Sequence, residues 1–120
     1  MYSSARKLPS AEILNELLTV DPSSPTGLTW KVNRRGTVKA GTVAGTLQRS
    51  STSGAVMYQV GYKGRKLQVH RVIWKMVNGS DPINVIDHID NNPLNNNISN
   101  LRDVTQRENS LNRKDRKISA

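Results

Sequence analysis

Residues 91–100 hold six asparagines in ten positions, together with Pro93. Asparagine side chains hydrogen-bond to nearby backbone groups and so compete with both helix and strand, which leaves a structured loop as the reading of this stretch. The loop is flanked by Val85–His88 and Leu101–Val104, two short runs of strand-forming residues. A helical pattern follows from about Thr105 to Asn112. The local order is strand, loop, strand, helix.

Upstream, Ser10 is a candidate N-cap, and Ile13, Leu14, Leu17 and Leu18 recur at helical spacing, which predicts a short amphipathic helix over residues 10–20. The run DPSSPTG, Asp21 to Gly27, has loop composition and ends it. Strands are predicted at Leu28–Val32, Thr42–Gln48, Val56–Tyr62 and Lys66–Val69, paired antiparallel, with Lys63-Gly64 as a tight hairpin turn. Arg71 to Asn78 returns to helical spacing, with Val72, Ile73, Met76 and Val77 on or near one face, and Gly79 stops it. The fold class is therefore α+β: a small antiparallel sheet with a covering helix, leading into the strand–loop–strand–helix unit. At 120 residues one compact domain is expected. Its parts are residues 1–27 as N-terminal helix and linker, 28–80 as a β-rich segment with helix, 81–112 as the unit around the loop, and 113–120 as a basic tail.

A formal charge of +9 and a pI near 10.4 favour a polyanionic partner, with nucleic acid first. Trp30, Trp74, Tyr2, Tyr58 and Tyr62 are the only aromatics, too few and too dispersed for a platform that stacks single-stranded bases. The absence of cysteine removes disulfides, thiolate catalysis and sulfur-ligated zinc, so any metal is held by oxygen and nitrogen. No stretch approaches a transmembrane length and Met1 to Ser10 lacks the apolar part of a secretory signal, which predicts a soluble, cytoplasmic protein without a membrane partner. Arg34, Arg35, Lys39, Lys63, Arg65 and Lys66 lie in or beside the strands and are candidates for DNA contact, against the alternative of an ordinary solvated face. The tail, with Arg113, Lys114, Arg116 and Lys117, is either a phosphate contact or a solvated end.

Asp87 and His88 close an apolar strand; Asn100 follows His88 by twelve residues and Asn109 follows Asn100 by nine. The string DHIDNNPLNNNISNLRDVTQREN resembles the ββα-metal site of the HNH endonucleases, in the subgroup of phage and intron-encoded homing enzymes, over about residues 68 to 112. Carried over by position, the resemblance implies Asp87 and Asn109 as ligands of one divalent ion, His88 as general base and Asn100 as the residue that orients the base. Many members of the family have His at the last position, and an amide oxygen there favours Mg²⁺ or Mn²⁺ over zinc. His70-Arg71 resembles a pair that precedes the site in this subgroup, with His70 read as packing or capping and Arg71 as a phosphate contact. Arg71, Arg102, Arg113 and Lys114 join the candidate DNA contacts. The run Asp87-x-x-Asp90-x-Asn92 has neither the spacing nor the glycine of a calcium loop. The segments TWKVNRRGTVKAGTVAG and YQVGYKGRKLQVHRVIW are similar to the small sheet that precedes the nuclease motif in phage homing enzymes, and to plant-type DNA-binding sheets.

The resemblance implies a metal-dependent endonuclease acting on double-stranded DNA, phage-encoded and working in a host cytoplasm as monomer or homodimer. Two alternatives stay open: a DNA-binding module that keeps the HNH-like shape without activity, and an RNA-binding protein of ribosomal type, supported by charge alone.

Overall fold

The computed structural model describes residues 8–34, 36 and 38–104. The expected helix over 105–112, with Asn109, lies outside the described residues, as do Arg35, Arg113 and Lys114. In chain order the elements are α1 (Ala11–Leu17), β1 (Leu18–Val20), β2 (Leu28–Trp30), β3 (Thr46–Arg49), β4 (Val56–Tyr62), β5 (Arg65–Gln68), α2 (Val69–Asn78), β6 (Val85–His88), a 3-10 turn (Ile98–Asn100) and β7 (Leu101–Val104). The class is the expected α+β, with two antiparallel pairs, β1–β2 and β6–β7, and a β3–β4–β5 meander.

Ser10 caps α1 as predicted, its hydroxyl accepting from the Ile13 amide at 3.2 Å. The helix is shorter than residues 10–20, because the chain becomes extended at Leu18. Leu18, Thr19 and Val20 pair with Trp30, Thr29 and Leu28, a strand choice that suits the β-branched Thr19 and Val20 and overrides the helical spacing of Leu17 and Leu18. The DPSSPTG run is the loop of this hairpin and is held from within. Asp21 accepts from the amide and hydroxyl of Ser23 at 3.0 and 2.6 Å, and the buried Thr26 hydroxyl donates to the Ala44 carbonyl at 2.6 Å.

Three strands, β2, β3 and β5, differ from their expected bounds, β5 running over Arg65–Gln68 rather than Lys66–Val69. The Ala44 amide donates to the Leu28 carbonyl at 3.0 Å and Val43 bridges Thr29, so the chain around Val43 stays on β2 and pairing with β4 begins only at Thr46. β2 ends at Trp30, although the Lys31 amide still donates to the Leu17 carbonyl at 2.7 Å, one rung beyond the Leu18–Trp30 pair. The Lys63-Gly64 turn between β4 and β5 has φ of 47° and 78°, the pair of positive values a type I′ hairpin needs.

β5 runs directly into α2, which starts at Val69 rather than Arg71. Its buried stripe is Val69, Val72, Ile73 and Met76; Val77, expected on or near that face, is exposed. The stripe meets Leu14 of α1, Leu28, Val60 of β4 and Leu67 of β5 in one core. Each fully buried aliphatic side chain there stabilises the fold by about 1.5–3 kcal/mol. At the far end of α2, Lys75 pairs with Asp81 at 2.8 Å and donates to the Leu8 carbonyl at 3.2 Å, which fastens both the N-terminal segment and the approach to β6. The Asp103 carboxylate accepts from the Ile83 and Asn84 amides at 2.6 and 2.8 Å and so starts β6 in register with β7. Among the described residues no helix is long and apolar enough to cross a membrane.

Gly27 packs the end of the β1–β2 loop against α2 and the Asn-rich loop. Its φ is +91°, and a Cβ there would lie 2.8 Å from Cδ1 of Ile73 and 3.5 Å from Cβ of Asn96. Gly27→Ala is expected to lower the unfolding free energy by about 1–3 kcal/mol, read by urea titration. An unchanged midpoint and slope would refute this packing.

Candidate active site

Strand pairing places Asp87 opposite Arg102 and His88 opposite Leu101. The chain then leaves β6 into the Asn-rich loop, and its asparagines make the loop rigid rather than merely irregular. Asn92 accepts from the Leu94 amide at 3.0 Å, Asn95 from Asn97 at 3.3 Å and Asn97 from Ser99 at 3.1 Å, a succession of side-chain turns that replaces backbone ladders. Asp90 accepts from the Asn92 amide at 2.8 Å and from the Asn95 and Asn100 carboxamides at 2.8 and 2.9 Å. These donors, Asn95 first and then the Asn92 amide, hold its carboxyl below the ordinary carboxylate range.

Asn100 was expected to reach the imidazole of His88, and the structure corrects that contact. Its Oδ1 accepts from the Asp90 amide at 3.0 Å and its Nδ2 donates to Asp90 Oδ1 and to the Asn95 carbonyl, both at 2.9 Å. It therefore fixes the loop that carries the base. The group at the ring is Asn96, whose Oδ1 lies 2.8 Å from Nε2 of His88. His70, in the first turn of α2, meets the same ring edge-on, with centroids 5.2 Å apart and planes at 67°. Asn96 lay in plain sight within the Asn run, but one asparagine among six carries no signal of which amide reaches the histidine.

Asp87 is 4 % exposed, and its Oδ2 accepts from Nη2 of Arg102 at 2.9 Å. A buried carboxylate requires a positive partner, and here the guanidinium provides it. Arg102, expected among the DNA contacts, is thus engaged with Asp87. Asp87 and His88 face one cleft of about 480 Å³, whose opposite wall is the start of β4 and the turn before it, with Gly54 and Met57. Among the described residues no three His, Cys, Asp or Glu side chains converge as a ready metal cluster. What the site offers is one buried carboxylate beside an imidazole, oxygen and nitrogen donors of the kind that take part in holding a divalent cation.

The remaining basic candidates scatter more widely. Lys63 lies in the β4–β5 turn with its ammonium 5.5 Å from the Tyr62 ring, and Lys66 is exposed on β5 beside the half-buried Arg65. Arg34 stacks 4.7 Å over Trp30, and Lys39 is exposed near it. Arg71 is half-buried on α2 next to His70.

Residues 67–111 match the sequence profile of a family described as HNH endonuclease. This stretch is similar to an HNH endonuclease. Its limits agree with the 68 to 112 expected from the residues. The chain is also 45% identical over 58 residues to a protein of Acanthamoeba polyphaga mimivirus named an uncharacterized HNH endonuclease. That match covers 47% of this chain and 31% of the relative, so the matched stretch spans about a third of the viral protein's length. No solved structure matches. Within the matched stretch β6 and β7 are the two strands, and Asp87 and His88 close the first of them.

Burial, then the positive fields of His88 and Arg71, push the His70 imidazole down from 6.5 to about 3. In the unfolded chain His70 takes up a proton below pH 6.5, whereas in the folded chain it stays neutral until about pH 3. Between those values the unfolded state binds more protons, so His70 lowers stability as pH falls, by up to about 1.4 kcal/mol per pH unit. Above the window it has no effect. His70→Phe keeps a ring and removes the titration. The parent should lose about 1–3 kcal/mol more than this variant between about pH 6.5 and pH 4.5 in urea unfolding; parallel losses would show that His70 is not held neutral.

Proposed function

We propose that the chain is a metal-dependent DNA endonuclease of the homing type carried by phages and introns, and that it hydrolyses phosphodiester bonds in duplex DNA. The observation that supports this most is the pairing, within the HNH segment, of a buried Asp87 with an adjacent His88 on one cleft. Asp87 would hold one Mg²⁺ or Mn²⁺ ion together with Asn109. The chemistry such an ion supplies when bound is neutralisation of negative charge at the phosphate and at the departing 3′ oxygen.

The chain's own residues do the rest. His88 accepts the proton of the attacking water. Asn100 keeps the loop closed around Asp90 and Asn95, so the strand end that bears His88 cannot drift. The cleft wall from the start of β4 belongs to the same meander as Lys63, Arg65 and Lys66, which would hold the DNA at the other end of that strand. Arg71 and the basic residues 113 and 114 would add phosphate contacts. Products would carry 5′-phosphate and 3′-hydroxyl ends. A monomer has one such site, so a double-strand break needs a homodimer or two successive cuts. The setting in which we place the protein is the cytoplasm of a phage-infected host.

One observation favours a second reading, DNA binding without cleavage: the Arg102 guanidinium already neutralises Asp87 and competes with a metal ion for it. A supercoiled plasmid incubated with Mg²⁺ or Mn²⁺ separates the two. The parent should relax or linearise it, and His88→Ala should slow the reaction by about 10²–10⁴-fold with DNA affinity retained. Intact plasmid that is nonetheless bound supports the silent module. For that binding, log affinity should fall linearly with log salt by about 0.9 per phosphate contact, and replacing Lys63 and Lys66 by Ala should make the slope shallower. A flat salt response overturns the cationic face as the contact surface.

A further inference from the structure

Asn96 is 4 % exposed, and its carboxamide lies between two groups that read its two ends differently. On one side is Nε2 of His88, 2.8 Å from Oδ1. On the other is the Thr26 carbonyl, which accepts from Nδ2 at 3.5 Å. A carbonyl oxygen is only ever an acceptor. Turning the amide over would set Oδ1 against that carbonyl, two buried acceptors with no proton between them, which costs about 1–3 kcal/mol. The amide is thus oriented from the N-terminal loop, and its oxygen is left facing the histidine.

An amide oxygen accepts and cannot donate, so the nitrogen 2.8 Å away must carry the proton. We infer that Asn96 is a positioning residue that fixes His88 as the Nε2–H tautomer, with Thr26 of the β1–β2 loop setting the direction of the amide. The proton-accepting lone pair of the neutral ring is then on Nδ1. The function of this statement rests on reading His88 as the base; its geometry does not.

Both supports are themselves held. The Thr26 hydroxyl donates to the Ala44 carbonyl at 2.6 Å and Ser24 Oγ donates to the Leu28 carbonyl at 2.8 Å, so the loop carbonyl facing Asn96 has a fixed position. The His70 ring packs edge-on at 5.2 Å and blocks rotation of His88 away from the amide. A segment some sixty residues away in sequence, outside the matched HNH stretch, therefore reaches the reactive ring through a single side chain.

The test is nitrogen NMR of protein labelled with ¹⁵N-histidine, at about pH 8 where an ordinary imidazole is neutral. With only His70 and His88 in the chain, His70→Phe assigns the signals. The parent should show the His88 Nε2 resonance in the protonated range and Nδ1 in the unprotonated range. Asn96→Leu, close in shape but without an acceptor, should give an averaged mixture of tautomers and lower plasmid cleavage by about ten- to a hundredfold. Asn96→Asp, which still accepts, should keep the parent pattern and recover part of the rate. A parent ring protonated at Nδ1, or an Asn96→Leu spectrum identical to the parent's, overturns the inference even if a variant folds poorly, because the first of these needs no variant. A parent that shows the Nε2–H form yet leaves DNA intact supports the positioning and removes the hydrolase reading instead.

Discussion

Between β6 and β7 the chain covers residues 89–100 without a helix of more than one turn, Ile98 alone of its side chains packing against the core cluster, and the Asn100 carboxamide makes that crossing possible. Its oxygen takes the Asp90 amide and its nitrogen bridges Asp90 and the Asn95 carbonyl, so one side chain closes both ends of the loop. Asn100 is itself buried, which removes water as a competitor for these groups. The Ile89 amide and the Asn100 carbonyl then meet at 2.9 Å and extend the β6–β7 ladder by one rung. His88 stands immediately before that rung, so its backbone is fixed by the loop it opens. Everything proposed for the imidazole presupposes this closure.

The electrostatics of the two adjacent site residues are solved in opposite ways. Asp87 is buried and paired with a cation from the neighbouring strand, and Arg102 reaches it from the half-exposed side. His88 is contacted by two uncharged groups, the Asn96 amide and the His70 imidazole, and lies in the field of the Asp90 carboxylate. A charged His70 at 5.2 Å would oppose any positive charge developing on His88, and its low pKa removes that repulsion. The overall charge of +9 acts at longer range and favours a polyanionic partner.

Much of this was legible in the chain because local chemistry and tertiary contacts agree there. Val56–Tyr62, Val85–His88 and Leu101–Val104 have the bounds expected, since each has strand-forming residues bordered by turn residues. Ser10 as cap and Lys63-Gly64 as turn follow from side-chain and backbone chemistry that needs no partner. The misreadings share a cause. Leu18–Val20 looks helical by spacing and is a strand by pairing; Val77 looks buried by spacing, yet the earlier start of α2 hands its place to Val69. In the site, composition identified an Asn-built loop but not the division of work within it. Asn100 was assigned to the ring by resemblance, whereas hydrogen-bond geometry gives the ring to Asn96 and the loop to Asn100.

That division has a physical logic. A loop made of asparagine side-chain turns is directional at every contact, because each amide has one accepting and one donating end. Such a loop has few ways to slip, since shifting it by one residue would face donor with donor across several bonds at once. An apolar loop of equal length would pack with less directional preference and leave its strand end free to adjust. For a ring that must present a chosen nitrogen, directional support is worth more than burial, and the Asn-rich composition that forbids regular structure here is also what supplies it. The same reasoning explains why the amide touching His88 is tied back to a backbone carbonyl: only a fixed acceptor can decide which end of Asn96 meets the ring.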